Sequence, residues 1–313
     1  MFIDTLIDKV IEKNNPSVVG LDPKLEYIPE HIKKAEFDQY GMNLKAAAEA
    51  ILKFNRSIID ATYDIVPAVK LQLACYEMYG LEGIRVFNET ANYAKQKGLL
   101  VIADGKRNDI GSTAEAYSAA FLGSTPLMGE ASETAFGADA LTVNPYLGID
   151  GIKPFLNDCR KYEKGIFVLV KTSNKSSGQI QDLLTATGKS MYEIVAEYVV
   201  EWGKNLKGKY GYSSVGAVVG ATYPNQAKIL RRIMKEVYLL VPGYGAQGGT
   251  ARDVAHSFNS DGLGALVNAS RSIMCAYQSD MWKDTYDETH FAEASRAEAI
   301  RMRDEINDAI GKK

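Results

Sequence analysis

Eight short apolar runs rich in β-branched residues, each followed by enough chain for a helix, constrain this 313-residue sequence more than any other feature. They fall at Ser17–Leu21, Ala68–Leu73, Leu99–Ala103, Ala140–Val143, Ile166–Val170, Val215–Gly220, Val237–Val241 and Ala265–Asn268. Near-continuous hydrophobicity, as in FVLV and AVVG, suits parallel strands covered on both faces. Amphipathic helical patterns lie between them, among them Leu44–Tyr63, Gly83–Gln96, Lys189–Lys204 and Asn225–Lys235, the last preceded by Pro224, which suits a first helical turn. Eight strands alternating with helices make either a closed barrel or an open doubly wound sheet. The count of eight favours the barrel, as do the polar and glycine-rich residues directly after the strands, where barrels place their chemistry. No G-x-G-x-x-G follows the first strand, which weakens the dinucleotide-binding alternative. The expectation is α/β, a (β/α)8 TIM barrel occupying residues 1–313 as one domain. Such a barrel needs about 250 residues. Three segments are therefore read as decoration: Lys24–Met42, the polar loop Asn174–Lys189, and a charged helical tail from about residue 281. The loop is either a lid or a tolerated surface insertion.

Bulk charge excludes several classes of partner. A net charge of −3 gives no electrostatic case for nucleic acid or an anionic membrane, so an anionic ligand must be held by a local site. Cys75, Cys159 and Cys275 are scattered, with no C-x-x-C pair, which argues for a reducing compartment and against a zinc site. His31, His256 and His290 lie far apart and no G-x-S-x-G accompanies them, which argues against a His-rich metal centre and a serine triad. The N-terminal MFIDTLIDKVIEKNNP is too polar for a signal peptide, and no window reaches the apolar length of a membrane span. A cytoplasmic protein is expected.

Five strand ends carry unusual residues. The first ends GLDPK, with Asp22; the second, AVKLQ, carries Lys70; the third runs into VIADGKRNDIGST, with Asp104, Lys106 and Asp109. Side chains alternate along a strand, so Asp104 and Lys106 share a face with alpha carbons roughly 6–7 Å apart. Gly105 leaves room beside the backbone, and Gly111 frees the chain to turn after Asp109. Two carboxylates around an ammonium are a costly way to build a core; the alternatives are a solvated salt-bridge cluster and a catalytic array. Lys106, flanked by carboxylates, suits a positioned proton donor better than an amine nucleophile. Lys70, or Lys171 after the fifth strand, is a candidate Schiff-base lysine, and Lys70 also fits a side chain that merely snorkels to the rim. After the seventh strand PGYGAQGGT offers backbone amides to an anion, with Thr250 opening a helix, and after the eighth NASRSI offers the planar fork of Arg271. Loops after strands seven and eight are a recurrent phosphate site in such barrels.

With GLDP, AVKLQ, DGKRNDIGST, PGYGAQGG and NASRSI in this order, the sequence resembles the orotidine 5'-phosphate decarboxylase family, in its longer bacterial branch to judge by VNPYLGID and VKTSN. The resemblance implies decarboxylation of orotidine 5'-phosphate to UMP without metal or organic cofactor. It also implies a homodimer whose active sites are shared across the interface. Residue by residue, it gives Lys70, Asp104, Lys106 and Asp109 as the charged catalytic array. Lys106 would protonate C6 as carbon dioxide leaves, and Asp104 would lie against the substrate carboxylate. Asp22 and Lys70 would hold ribose hydroxyls. Asp109 and Thr113 would reach across from the second subunit. Ser173 would contact the pyrimidine, and Gln247, on a closing loop, and Arg271 would bind the 5'-phosphate. Pro242 and Gly248 complete the expected substrate-binding set.

Two other readings stay open on the sequence. One is a related barrel enzyme acting on a sugar phosphate, such as a 3-keto-gulonate 6-phosphate decarboxylase or hexulose phosphate synthase, which needs a divalent metal. Asp104 and Asp109 could serve as ligands there, although an ammonium between them competes with a cation. The other is a catalytically silent phosphate-binding protein, which would need Gln247 and Arg271 but not Asp104 and Lys106 together.

Overall fold

All eight apolar runs become strands, and they close on one another. The computed structural model describes residues 1–312. The strands are β1 Ser17–Leu21, β2 Ala68–Gln72, β3 Leu100–Arg107, β4 Ala140–Val143, β5 Gly165–Lys171, β6 Ser213–Val219, β7 Val237–Pro242 and β8 Ala265–Ala269. Each pairs in parallel with its neighbours in chain order, and β1 also pairs with β8 (Ser17 opposite Val267), closing the barrel. A two-stranded antiparallel pair, Thr125–Pro126 with Ser132–Glu133, lies outside the barrel and was not anticipated.

The period of two sorts each strand into two cores. Val69, Leu71, Val101, Ala103, Leu141 and Val267 pack outward beneath the helices in one cluster. Ala68, Leu100, Ile102, Ala140, Phe167, Tyr238, Leu240 and Leu266 fill the barrel interior in a second. Phe167 and Tyr238 fit because position 216 is glycine: a Cβ there would stand 2.5 Å from the Phe167 ring and 2.8 Å from the Tyr238 carbonyl oxygen. Helix Phe2–Glu12 closes the floor of this interior with Phe2, Ile3, Leu6, Ile7 and Val10, all buried.

The outer helices follow from local signals. Helix Leu44–Thr62 starts where the Asn43 side chain accepts from the Ala46 amide at 3.0 Å. Helix Met191–Gly203 carries a capping box of Ser190 and Glu193, and helix Pro224–Ile233 opens on its proline. The segments read as decoration are more structured than that word implies. Lys24–Met42 contains helix Glu30–Tyr40, packed on helix Leu44–Thr62. The expected tail is helix Phe291–Ala309, which lies against helix Leu44–Thr62 on one side and Ala251–Ala255 on the other. It occupies the eighth place in the outer ring, with Phe291, Ala294, Ala299, Met302 and Ile306 buried. Among the described residues, no helix is long and apolar enough to cross a membrane.

Candidate active site

The interior positions nearest the strands' C-terminal ends switch from apolar to charged. Lys70 follows Ala68, Asp104 follows Leu100 and Ile102, Thr142 follows Ala140, and Asn268 follows Leu266, all on the inward face. Above them opens a cavity of about 760 Å³, lined by Asp22, Lys70, Asp104, Lys106, Ser173, Pro242, Gln247 and Arg271 among others.

Asp104 is the hub. Its Oδ2 accepts from Lys70 Nζ at 3.0 Å and from Gln72 Nε2 at 3.0 Å, and its Oδ1 accepts from Lys106 Nζ at 2.7 Å and Thr142 Oγ1 at 2.8 Å. Lys70 Nζ also donates to Asp22 Oδ1 at 3.1 Å. Burial works against the Asp104 charge, but Lys70 and Lys106 outweigh it and hold the carboxyl well below the usual carboxylate range. Burial likewise opposes the Lys70 charge, and Asp104 with Asp22 more than restores it, keeping the amine protonated well above its ordinary range. That overturns the Schiff-base reading of Lys70, since such a nucleophile must be a free amine.

Lys106 reaches this place through an irregular backbone. The β3–β4 register shifts between Ala103 and Arg107, and Lys106 sits at φ +49°, in the left-handed region. For a non-glycine residue that conformation costs roughly 1–2 kcal/mol. The Lys106 amide donates to Thr142 Oγ1 at 2.9 Å, so one hydroxyl bonds both the backbone of Lys106 and the carboxylate its side chain pairs with.

On the opposite side of the cavity, Ser173 Oγ donates to Gln247 Oε1 at 3.0 Å, linking the loops after β5 and β7. Arg271 Nη2 donates to the Ala246 carbonyl at 2.9 Å, and the residue lines the cavity. Gly248, at φ +96°, lies in the same loop but off the cavity wall. Thr250 does cap a helix, yet that helix, Ala251–Ala255, is a single turn. The Asp253 carboxylate already accepts from both the amide and the hydroxyl of Thr250, and the residue does not line the cavity. The start of this helix therefore stands outside the cavity wall.

Three further predicted residues lie elsewhere. Asp109 is half-buried beyond the end of β3 and accepts from the Ile110 amide at 2.7 Å; Thr113 is exposed on helix Gly111–Phe121. Neither lines this chain's cavity. Lys171, the other Schiff-base candidate, points away from the cavity and pairs with Asp182.

Several lining residues escaped sequence reasoning. Gln72 and Thr142 look like ordinary strand residues until their bonds to Asp104 are seen. Asn268 lies within NASRSI; its Oδ1 is buried with no donor among the described residues. Cys75 also lines the cavity, and burial, aided by Asp22, pushes its thiol up to about 11. Among the described residues, no group of three or more His, Cys, Asp or Glu side chains is placed to hold a metal ion.

Residues 19–280 match the model of the "Orotidine 5'-phosphate decarboxylase / HUMPS family". The chain is 45% identical over 299 residues to an orotidine 5'-phosphate decarboxylase of Caldicellulosiruptor saccharolyticus, covering 96% of this chain and 97% of that protein. It is 44% identical over 305 residues to the enzyme of the same name from Rhodopirellula baltica, covering 97% and 98%. The solved structure of Leishmania donovani OMP decarboxylase superposes with a TM-score of 0.72 at 27% identity, covering 100% of this chain and 99% of that one.

Proposed function

The chain belongs to the orotidine 5'-phosphate decarboxylase / HUMPS family, and from that premise we propose that it converts orotidine 5'-phosphate to UMP and carbon dioxide, closing de novo pyrimidine nucleotide synthesis. One observation carries this reading: Lys70, Asp104 and Lys106 form a continuous ion-paired array in the same cavity as Gln247 and Arg271. A silent phosphate-binding protein needs the second pair and not the first.

The chemistry asks for stabilisation of a vinyl carbanion at C6, which the pyrimidine ring delocalises poorly. The Lys106 ammonium, pinned by Asp104, favours that charge as it develops and then supplies its proton to C6, with little reorganisation. An ammonium about 4 Å from a full negative charge contributes on the order of 4 kcal/mol at an effective dielectric near 20, or about three powers of ten in rate. Asp104, held ionised, lies against the substrate carboxylate and disfavours the ground state, which ranks second to the effect of Lys106. Asp22 and Lys70 hold the ribose hydroxyls and Ser173 the pyrimidine edge. Gln247, on the loop after β7 that also contains Gly248, and Arg271, just after β8, grip the 5'-phosphate, with Pro242 at the end of β7. Binding energy from that remote phosphate closes the loop and excludes water, so part of it appears in turnover.

Asp109 and Thr113 complete the site of the second subunit in a homodimer. Supporting this, Ile110, next to Asp109, and Tyr146 and Leu147, in the loop after β4, are exposed apolar side chains. Apolar surface of that kind marks an interaction face. Three free cysteines suit the reducing cytoplasm.

The deciding experiment is the ultraviolet absorbance of orotidine 5'-phosphate after protein is added in excess chelator. Decay of the substrate signal with UMP formed is expected. Activity lost to chelator and restored by a divalent metal would move the protein to the sugar-phosphate branch of its relatives.

A further inference from the structure

Lys171 is a buried cation that the reaction does not use. Its side chain is 0% exposed, although it ends a strand at the barrel mouth. The period of two that carries Phe167 and Leu169 inward would carry Lys171 inward too, but the β5–β6 register shifts between Leu169 and Lys171 and turns it to the outside. There its Nζ donates to Asp182 Oδ1 at 2.6 Å and Ser177 Oγ at 3.2 Å, and lies 4.6 Å from the centre of the Tyr223 ring and 5.6 Å from that of Tyr192. A lysine taken out of water is stable only when paired, and here the partners come from the 174–189 loop, helix Met191–Gly203 and the β6 loop.

The bonds beside it tie the 174–189 loop to the end of β5 and to the β6 loop. The Thr172 amide donates to Gln181 Oε1 at 3.0 Å, Gln181 Nε2 returns a bond to Thr172 Oγ1 at 2.9 Å, and Tyr223 Oη donates to the Asn174 carbonyl at 3.1 Å. Ser173 sits inside this knot and is the residue that bridges to Gln247. We propose that Lys171 is a positioning residue: its ion pair with Asp182 ties the 174–189 loop to the barrel and thereby holds Ser173 at the cavity edge. This rests on the reading of Ser173 as a pyrimidine contact.

Asp182→Asn tests it at a partly exposed carboxylate, so the fold is expected to survive. Gly178→Ala provides a second route, because a Cβ at Gly178 would stand 2.7 Å from Asp182 Oδ2 and push the carboxylate off Lys171. Both variants are expected to weaken UMP binding and raise KM about tenfold while kcat changes less than twofold, with the melting temperature nearly unchanged. In a Ser173→Ala background the same substitutions should change UMP affinity less than twofold, because the effect travels through that side chain. Equal losses with and without Ser173, or wild-type affinity in both variants, would overturn the proposal. Should the wild-type chain bind UMP yet never decarboxylate, the functional reading fails while the binding cycle still decides the role of Lys171.

Discussion

At Lys106 the backbone is bent to serve the side chain. A left-handed lysine inside a strand is conformationally unfavourable, and such residues concentrate where surrounding bonds over-determine them. Thr142 supplies one of those bonds and Asp104 another. Lys106→Ala is expected to abolish turnover while leaving UMP binding within about threefold, measured by substrate absorbance and calorimetry; interactions made only in the transition state are lost from kcat. Asp104 gives a pH signature. Its pKa is lower in the folded chain than in the unfolded one, so it stabilises the fold above the ordinary carboxylate value near about 4 and that stabilisation is lost as pH falls through the folded value. The stability gap between wild type and Asp104→Asn, followed by denaturant melts, should therefore be widest near neutrality and shrink as pH drops from about 4 towards 2. Lys70 behaves with the opposite sign. Its contribution is complete below the ordinary lysine value near about 10 and disappears only as pH rises through its higher folded value.

Elements were largely legible, because a buried parallel strand leaves a dense apolar signature and every one of the eight produced it. Side-chain direction near the rim was less so. Parity along β2 and β3 agrees with the inward direction of Lys70 and Asp104, but along β5 the same rule sends Lys171 into the cavity, and a register shift that no residue type announces turns it out. Thr142 and Gln72 are invisible for a different reason: a lone hydroxyl or amide on a strand gains meaning only from the carboxylate it meets on the neighbouring strand. Helix Phe291–Ala309 was misjudged because its exposed face is so charged that it resembles a solvated appendage. Its inner face is core: the Phe291 ring centre lies 5.2 Å from that of Phe54. Phe291→Ala is expected to cost about 3–5 kcal/mol of stability, seen in calorimetry as a Tm lower by roughly 5–15 °C. A true appendage would leave Tm unmoved.

Across the whole molecule, the proposed sharing of sites makes a quantitative demand. Asp109→Ala and Lys106→Ala homodimers should each be inactive. Mixing them under conditions that exchange subunits should restore about a quarter of wild-type activity, since half the dimers are mixed and each of those has one intact site. No recovery, with exchange verified by mass, would mean that each chain builds its own site. The floor of the barrel has a practical corollary. Helix Phe2–Glu12 plugs the end remote from the catalytic opening, so a polypeptide fused ahead of it, or a surface to which it is coupled, stands on the far side from the substrate's entrance. Immobilising the protein by its amino terminus should leave nucleotide traffic unobstructed.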